Sequence, residues 1–247
     1  MCRHIAYLGE PVSPAEAVFR APHSLLVQSY APADMRGGGT INADGFGVGW
    51  FAASGPVRYR RATPLWSDTT LPTLAAALPV GAALAAVRSA TAGMPVVETA
   101  AAPFGDGPWL FSHNGVVTGW PDSVAKLAAA LPTADLMTME APTDAALLWT
   151  LVRHRLRGGA EPAAAVAATV AEVEAAAPGS RLNLLLTDGA SIVATTAGHA
   201  LSVRHGDAGV LVSSEPLDDD PAWRPVPDRT LLAAGTAGVT LTPLGEA

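Results

Sequence analysis

The sequence TDAALLWTLVRHRLRGG, residues 143–159, is the strongest helical signal in the chain, and the fold class is inferred outward from it. Thr143 is a favourable N-cap residue, and Asp144 places a negative charge at the positive end of the helix dipole. Three arginines near the other end complement the dipole there, and Gly158 stops the helix. The pattern predicts a well-formed helix in the middle of the chain.

The segments on either side of this helix determine the order of secondary structure. Two more helices are predicted beside it, over residues 122–131 and 161–179. Strands are predicted before and after the helices, at residues 3–9, 46–52, 57–61, 82–88, 109–117, 181–188, 191–198, 200–205 and 209–215. Strands, then helices, then strands is typical of an α+β protein with antiparallel sheets. We expect residues 1–247 to form one domain, built as a layered sandwich.

Composition excludes several classes of partner. The 247 residues have a formal net charge of −7, and 49% of them are hydrophobic. Such an acidic chain lacks the positive surface that nucleic acids and anionic membranes attract. Neither a signal peptide nor an apolar run long enough to span a membrane is visible, so we expect a cytoplasmic protein. Association into a homo-oligomer is left open by the sequence.

Motifs for cofactors and metals are weak. Gly45, Gly47 and Gly49 read G-x-G-x-G, without the third spacing and the following helix of a dinucleotide-binding motif. The alternation of glycine with large residues instead indicates a strand that another backbone or a ligand approaches closely. Cys2 and His4 could together begin a metal site, but the chain has no other cysteine, and the alternation of a strand alone explains their spacing. We therefore expect no cofactor and no metal.

That single cysteine, Cys2, is a strong signal because of its position. Met1 is expected to be removed when the second residue is as small as cysteine. The mature chain then begins with a residue that has both a thiol and a free α-amine. An α-amine has an unperturbed pKa of roughly 7.7–8.0, so one residue supplies both nucleophile and base near neutral pH. The alternative is an incidental cysteine at a frayed terminus.

Three further motifs follow Cys2 in the chain. They are Arg88-Ser89-Ala90-Thr91, which matches R-x-A-T, Ser112-His113-Asn114-Gly115, which contains H-N-G, and Thr143-Asp144 at a helix start. With Cys2, these motifs resemble the class II glutamine amidotransferase domains of the N-terminal-nucleophile hydrolase superfamily. The resemblance implies a four-layer αββα sandwich of two mainly antiparallel sheets, and an amide hydrolase with Cys2 as its nucleophile.

The resemblance also assigns roles that the chemistry of a γ-glutamyl group supports. Arg88 suits the substrate α-carboxylate, because a guanidinium offers two parallel charge-assisted hydrogen bonds. Asp144 suits the α-ammonium, and it also fits a helix-end carboxylate favoured by the dipole. The Asn114 side chain and the Gly115 N–H suit an oxyanion hole. Judged by local sequence preference alone, Asn-Gly predicts a two-residue hairpin turn.

A second resemblance covers nearly the whole chain and points to the bacterial amidases of ergothioneine biosynthesis. It rests on MCRHIAYLG at residues 1–9, NADGFGVGWF at 42–51, FSHNGVV at 111–117 and SSEPLDDDPAW at 213–223. It implies hydrolysis of the γ-glutamyl amide of γ-glutamyl-hercynylcysteine sulfoxide. Ser89, Ala92 and Ala102 are smaller than the residues that ammonia-transferring relatives often have there, which favours an open pocket and a larger amide than glutamine.

Secondary site candidates and competing functions complete the prediction. His113 and Thr91 are expected to shape the pocket, and Trp50 and Trp66 are candidates for contacting the trimethylammonium group of the substrate. One alternative function is a glutaminase subunit that delivers ammonia to a partner synthase. Another, of a different class, is a γ-glutamyl-binding module without turnover.

Overall fold

The computed structural model of the protein describes residues 2–36 and 41–245. Met1, whose removal the sequence predicts, lies outside the described residues. The strands are β1 (Arg3–Val12), β2 (Phe46–Ala52), β3 (Gly55–Arg61), β4 (Val80–Val87), β5 (Phe104–Asp106), β6 (Trp109–Val116), β7 (Arg181–Thr187), β8 (Ile192–Thr196), β9 (Ser202–Gly206), β10 (Gly209–Ser213), β11 (Arg224–Pro225), β12 (Thr230–Gly235) and β13 (Gly238–Pro243). The α-helices are α1 (Leu25–Gln28), α2 (Leu71–Ala77), α3 (Ala125–Ala129), α4 (Thr133–Met137), α5 (Asp144–Arg157) and α6 (Pro162–Ala176).

The strands form two sheets whose neighbouring strands all run antiparallel. The first sheet has the order β11-β9-β10-β1-β4-β2-β3, and the second has the order β13-β12-β8-β7-β6-β5. In the first sheet, Arg3 of β1 pairs with Val87 of β4. Continuing this register by one residue brings Cys2 opposite Arg88, although 86 positions separate them in the chain.

Three apolar clusters hold four layers together. Between the sheets, Ala6 and Leu84 of the first pack against Leu110 and Leu185 of the second. The outer face of the first sheet is covered by α1, α2 and a π-helix at Glu16–Arg20. The outer face of the second sheet is covered by α5 and α6. The predicted αββα sandwich of antiparallel sheets is confirmed.

The glycines of β2 show how closely the two sheets approach. A Cβ at Gly47 would lie 2.3 Å from the carbonyl oxygen of Ala102, and a Cβ at Gly49 would lie 2.7 Å from the side chain of Leu110. Neither distance leaves room for a methyl group. The alternation of glycine with large residues therefore marks a close approach of another backbone, as predicted.

The central helix begins and ends as the sequence predicts. Thr143 Oγ1 accepts a hydrogen bond from the backbone N–H of Ala146 at 3.2 Å, which caps α5, and Gly158 is its C-cap residue. The structure adds helix α2 and a hairpin of β12 and β13, which the sequence patterns did not single out. Within the described ranges, no helix is both long and apolar enough to cross a membrane.

Candidate active site

Cys2 lies immediately before β1, at the edge of a cleft where both sheets and the start of α5 meet. Its side chain is half-buried, and Sγ lies 3.9 Å from the backbone oxygen of Ser89. The cleft has a volume of about 470 Å³, including its open mouth. Its lining residues are Cys2, Ala86, Val87, Arg88, Ser89, Thr91, Met94, Ala100, Ala102, Phe104, His113, Gly115, Thr143, Asp144 and Ala145.

Arg88 brings an incompletely bonded guanidinium to this cleft. Its Nη1 donates to the backbone oxygen of Pro95 at 2.9 Å, and its Nη2 is buried without a partner in the described part of the chain. The backbone around it is fixed, since Arg88 N–H donates to Gly45 O at 2.7 Å and Asp44 Oδ2 accepts from Ala90 N–H at 2.8 Å. A buried guanidinium with an unused donor can bind an anionic ligand group without rearranging.

Asp144 brings a fixed carboxylate to the same cleft. Oδ2 accepts from the backbone N–H of Val117 at 3.0 Å, and Oδ1 accepts from the N–H of Ala145 at 2.7 Å. These bonds hold the carboxylate at the first residue of α5, where the helix dipole favours a negative charge. Asp144 is buried, and a buried carboxylate gains from a nearby cation. Arg88 and Asp144 thus present opposite charges to one cavity.

The H-N-G segment lies within β6, so the hairpin-turn alternative is wrong. Asn114 pairs with Asn183 of β7, and Gly115 pairs with Leu182. Because side chains alternate along a strand, His113 and Gly115 face the cleft while Asn114 faces the space between the sheets. Tertiary pairing with β7 has overridden the local turn preference of Asn-Gly.

Gly115 is required where it lies because two groups occupy the space of a side chain. A Cβ there would lie 1.8 Å from Arg181 O and 2.6 Å from His113 Nε2. His113 Nε2 is 2.9 Å from Arg181 O, so the imidazole crosses over Gly115 to reach the neighbouring strand. This contact fixes the His113 ring against the floor of the cleft.

The backbone N–H of Gly115 points away from β7 and toward the open edge of β6. Asp106 and Trp109 flank a two-residue turn and therefore exchange the hydrogen bonds that join β5 to β6. Alternation then directs the N–H groups of the odd-numbered residues of β6 to the β5 side. The Val117 N–H follows this rule, since it reaches Asp144. β5 pairs no further than Phe111, so β5 does not cover that side of Gly115, which lines the cleft.

Asn114 lies beside the cleft rather than on its lining. The side chain is fully buried. Its Nδ2 donates to Ser214 Oγ at 3.4 Å, and its Oδ1 has no partner among the residues described. It lines a small adjoining cavity of about 160 Å³, together with Arg3, Ser214 and Glu215.

Two predicted contacts are not brought to the site. Trp50 packs on the outer, helix-covered face of the first sheet, and Trp66 is exposed, with its ring 6.1 Å from that of Tyr30. Neither lines the cleft. The structure instead brings Cys2, Arg88, Thr91, His113, Gly115 and Asp144 together there.

Two buried histidines near the cleft, His4 and His199, were not among the predicted site residues. Burial, reinforced by nearby His113, lowers the pKa of His4 to about 3, and burial together with Arg181 lowers the pKa of His199 to about 3. His199 Nε2 accepts a hydrogen bond from Arg181 Nε at 3.0 Å, as a neutral imidazole can. Both rings are neutral at physiological pH and far too weakly basic to take a proton there.

Comparison with known proteins is consistent with this geometry. Residues 19–205 match the family model described as Glutamine amidotransferases class-II, a range that contains Arg88, the H-N-G segment and Asp144. A protein of Mycolicibacterium smegmatis named gamma-glutamyl-hercynylcysteine sulfoxide hydrolase is 45% identical over 245 residues, which is 99% of this chain and 100% of that protein.

A second relative and one solved structure extend the comparison. A Mycobacterium tuberculosis protein of the same name is 44% identical over 248 residues, which is 100% of this chain and 98% of that protein. A glutamine aminotransferase class-II domain protein from Silicibacter pomeroyi superposes with a TM-score of 0.71, covering 98% of this chain and 99% of its own. Its sequence is 24% identical, so this likeness supports the fold alone.

Proposed function

Because the chain belongs to the class II glutamine amidotransferases, we propose that it hydrolyses the γ-glutamyl amide of γ-glutamyl-hercynylcysteine sulfoxide to glutamate and hercynylcysteine sulfoxide. Family membership and full-length similarity to hydrolases of that name support an amide hydrolase. One observation supports the γ-glutamyl specificity above all. An incompletely bonded guanidinium and a buried carboxylate line the same cleft as the only thiol of the chain.

Arg88 and Asp144 act in this proposal as a clamp for the amino-acid end of the substrate. The free donor of Arg88 takes the α-carboxylate, and Asp144 takes the α-ammonium. A γ-glutamyl group has both charges on one carbon and its amide at the other end of a short chain. Binding the charged end therefore directs the γ-carbonyl toward Cys2, and Thr91 and His113 limit the space around it.

The chemical steps use Cys2 with Met1 removed. The thiol gives its proton to the α-amine of the same residue, directly or through a water, and Sγ bonds to the γ-carbonyl carbon. The ammonium then donates a proton to the amide nitrogen as the carbon–nitrogen bond breaks, which leaves a γ-glutamyl thioester. Water, deprotonated by the amine, attacks the thioester and releases glutamate and the thiol. His4 and His199 are excluded as the base because their pKa values are about 3.

The oxyanion formed in both steps is stabilised, in this proposal, by Asn114 and Gly115. Gly115 supplies its backbone N–H at the open edge of β6. Asn114 lies beside the cleft lining, and its Nδ2 reaches the oxyanion by turning from Ser214 Oγ toward the cleft. The Gly115 donor is part of the β6 backbone, and a donor that is fixed before the reaction stabilises developing charge without a cost of reorganisation.

The leaving portion of the proposed substrate is much larger than ammonia. Ser89 and Ala102, both small, lie on the cleft wall beside Met94 and Phe104. Small side chains at these two positions take up less of the cleft than larger ones would, which favours a bulky amide over free glutamine. A small-molecule substrate suffices for this reaction, and a free thiol nucleophile fits the reducing conditions of a cytoplasm.

The experiment that tests this proposal compares two substrates. The protein is incubated separately with γ-glutamyl-hercynylcysteine sulfoxide and with glutamine, and released glutamate is measured. Intact mass establishes whether Met1 is absent. We expect faster release from the sulfoxide, and inactivity with retained substrate binding for Cys2→Ala. Faster release from glutamine would favour the ammonia-delivering alternative, and full hydrolysis by Cys2→Ala would refute the nucleophile.

A further inference from the structure

The backbone carbonyl of Cys2 is held by the side chain of the next residue. Arg3 Nη1 donates to Cys2 O at 3.1 Å. Arg3 is almost completely buried, so its guanidinium cannot exchange this contact for bulk water. Chain ends fray unless they are tied down, and Cys2 has a single peptide link once Met1 is removed. This hydrogen bond is therefore a restraint on the terminal residue.

Arg3 is itself fixed by Glu215, which follows β10. Arg3 Nε donates to Glu215 Oε1 at 2.9 Å, and Arg3 Nη2 donates to the backbone oxygen of Asp34. Glu215 Oε2 lies 2.5 Å from His23 Nε2 and accepts from Ala33 N–H at 2.8 Å. The guanidinium thus has all three nitrogens engaged and cannot shift without breaking a buried contact.

Stability alone gives a poor account of this ion pair. Desolvating two charges costs much of what their attraction returns, so a buried pair contributes little net stability compared with apolar residues of similar volume. The pair does fix the orientation of the Arg3 guanidinium, and that guanidinium donates to the backbone oxygen of Cys2.

We propose that Glu215, acting through Arg3, is a positioning residue that holds Cys2 in its reactive placement. This inference rests on the proposed function. The thiol must face the γ-carbonyl while the α-amine stays close enough to exchange its proton. Rotation of the terminal residue would separate these groups. The Arg3 contact on the carbonyl restrains that rotation, and Glu215 restrains Arg3.

Three variants separate positioning from stability. Arg3→Lys keeps a positive charge beside Glu215, but its single nitrogen cannot reproduce the fork that joins Glu215 to Cys2 O. The double variant Arg3→Gln/Glu215→Gln removes both charges together, so no buried charge is left unpaired. Arg153→Gln is the matched control, because Arg153 is also buried and pairs with a buried carboxylate, that of Asp135. It lies on α5, about 13 Å along the helix from Asp144.

For each variant we would measure Met1 removal by intact mass, thermal unfolding, kcat and KM with γ-glutamyl-hercynylcysteine sulfoxide, and the rate of Cys2 glutamylation after rapid quench. Misplacing a reacting group by about 1 Å costs about 100-fold in rate. We expect kcat and the glutamylation rate to fall by about that factor in Arg3→Lys and in the double variant, with KM nearly unchanged. Arg153→Gln should keep the wild-type kcat.

Each outcome bears on one claim. Wild-type kcat in either folded Arg3 variant overturns the positioning role, and so does an equal loss in Arg153→Gln, since the loss then reflects general destabilisation. Cys2→Ala in the same assay distinguishes failure of the proposed function from failure of the positioning role. Activity in Cys2→Ala refutes the proposed function, whereas an inactive Cys2→Ala beside a fully active Arg3→Lys refutes the positioning role alone.

Discussion

A methyl group added at Gly115 would lie 1.8 Å from Arg181 O, whereas real Cβ atoms essentially never approach closer than 3.0 Å. Gly115→Ala must therefore open this contact by about 1.2 Å. β6 and β7 separate, or the Gly115 backbone tilts, and in either case its N–H moves relative to Cys2. A displacement of about 1 Å in a catalytic group costs about 100-fold, or about 2.7 kcal/mol of transition-state stabilisation. We expect kcat to fall by about this factor, with a small change in KM because Arg88 and Asp144 are untouched.

The matched control is Gly9→Ala. Its Cβ would lie 2.1 Å from Ala208 O, a comparable clash, but Gly9 is seven residues along β1 from Cys2, or about 23 Å. Overpacking of this kind typically costs about 1–3 kcal/mol of stability, so both variants should unfold at lower temperature. Glutamate release is measured below both transitions, with folding checked by circular dichroism. A wild-type kcat in Gly115→Ala, or an equal loss in Gly9→Ala, would contradict the proposed role of the Gly115 N–H.

The substrate clamp, the second oxyanion donor and the buried His4 can each be tested by one further substitution. In Arg88→Lys a single ammonium nitrogen replaces both Nη1, which donates to Pro95 O, and the free Nη2 that is proposed to bind the substrate. Loss of that charge-assisted bond costs about 1.5–3 kcal/mol, so steady-state kinetics should show kcat/KM lower by roughly 10- to 150-fold, and unchanged kcat/KM would remove Arg88 from the clamp. Asn114→Ala should lower kcat by about 10²–10³ with little effect on KM, and a KM effect alone would place Asn114 in substrate binding instead. The folded pKa of His4 is about 3 against 6.5 for the free side chain, so the unfolded chain binds a proton that the folded chain excludes. The free energy of unfolding should therefore fall as pH drops from 6.5 toward 3, less steeply in His4→Gln than in the exposed control His205→Gln; identical slopes in urea titrations would contradict this.

Sequence patterns predicted most of the fold because the decisive signals are local. Thr143, Asp144 and Gly158 define the ends of α5 through capping and charge, and these effects act within one helical turn. The fold class followed from the order of strands and helices, and the four layers followed from the family resemblance. Helix α2 and the β12–β13 hairpin went unnoticed, although Gly235 and Gly238 flank the short turn of that hairpin.

The remainder of the site depends on contacts that no local pattern encodes. Residues 109–117 were predicted as a strand, but Asn114-Gly115 within them also has the local preference of a turn, and only the pairing with residues 182–183 decides between the two. Arg3 and Glu215 are 212 positions apart, so neither residue alone indicates their ion pair. Trp50 and Trp66 were chosen for the chemistry of their rings, and ring chemistry says nothing about location.

The brevity of β5 has a consequence for how this cleft responds to mutation. β5 spans only Phe104–Asp106, and its pairing with β6 stops at Phe111. β6 continues five residues further, to Val116. The proposed donor at Gly115 is thus a backbone N–H that has no neighbouring strand to pair with in the described part of the chain. Such a group is common to almost every amino acid, so a side-chain truncation scan of the cleft is blind to it. Replacing the Asn114–Gly115 amide by an ester, which deletes the N–H and adds no bulk, would make this half of the oxyanion site measurable by itself.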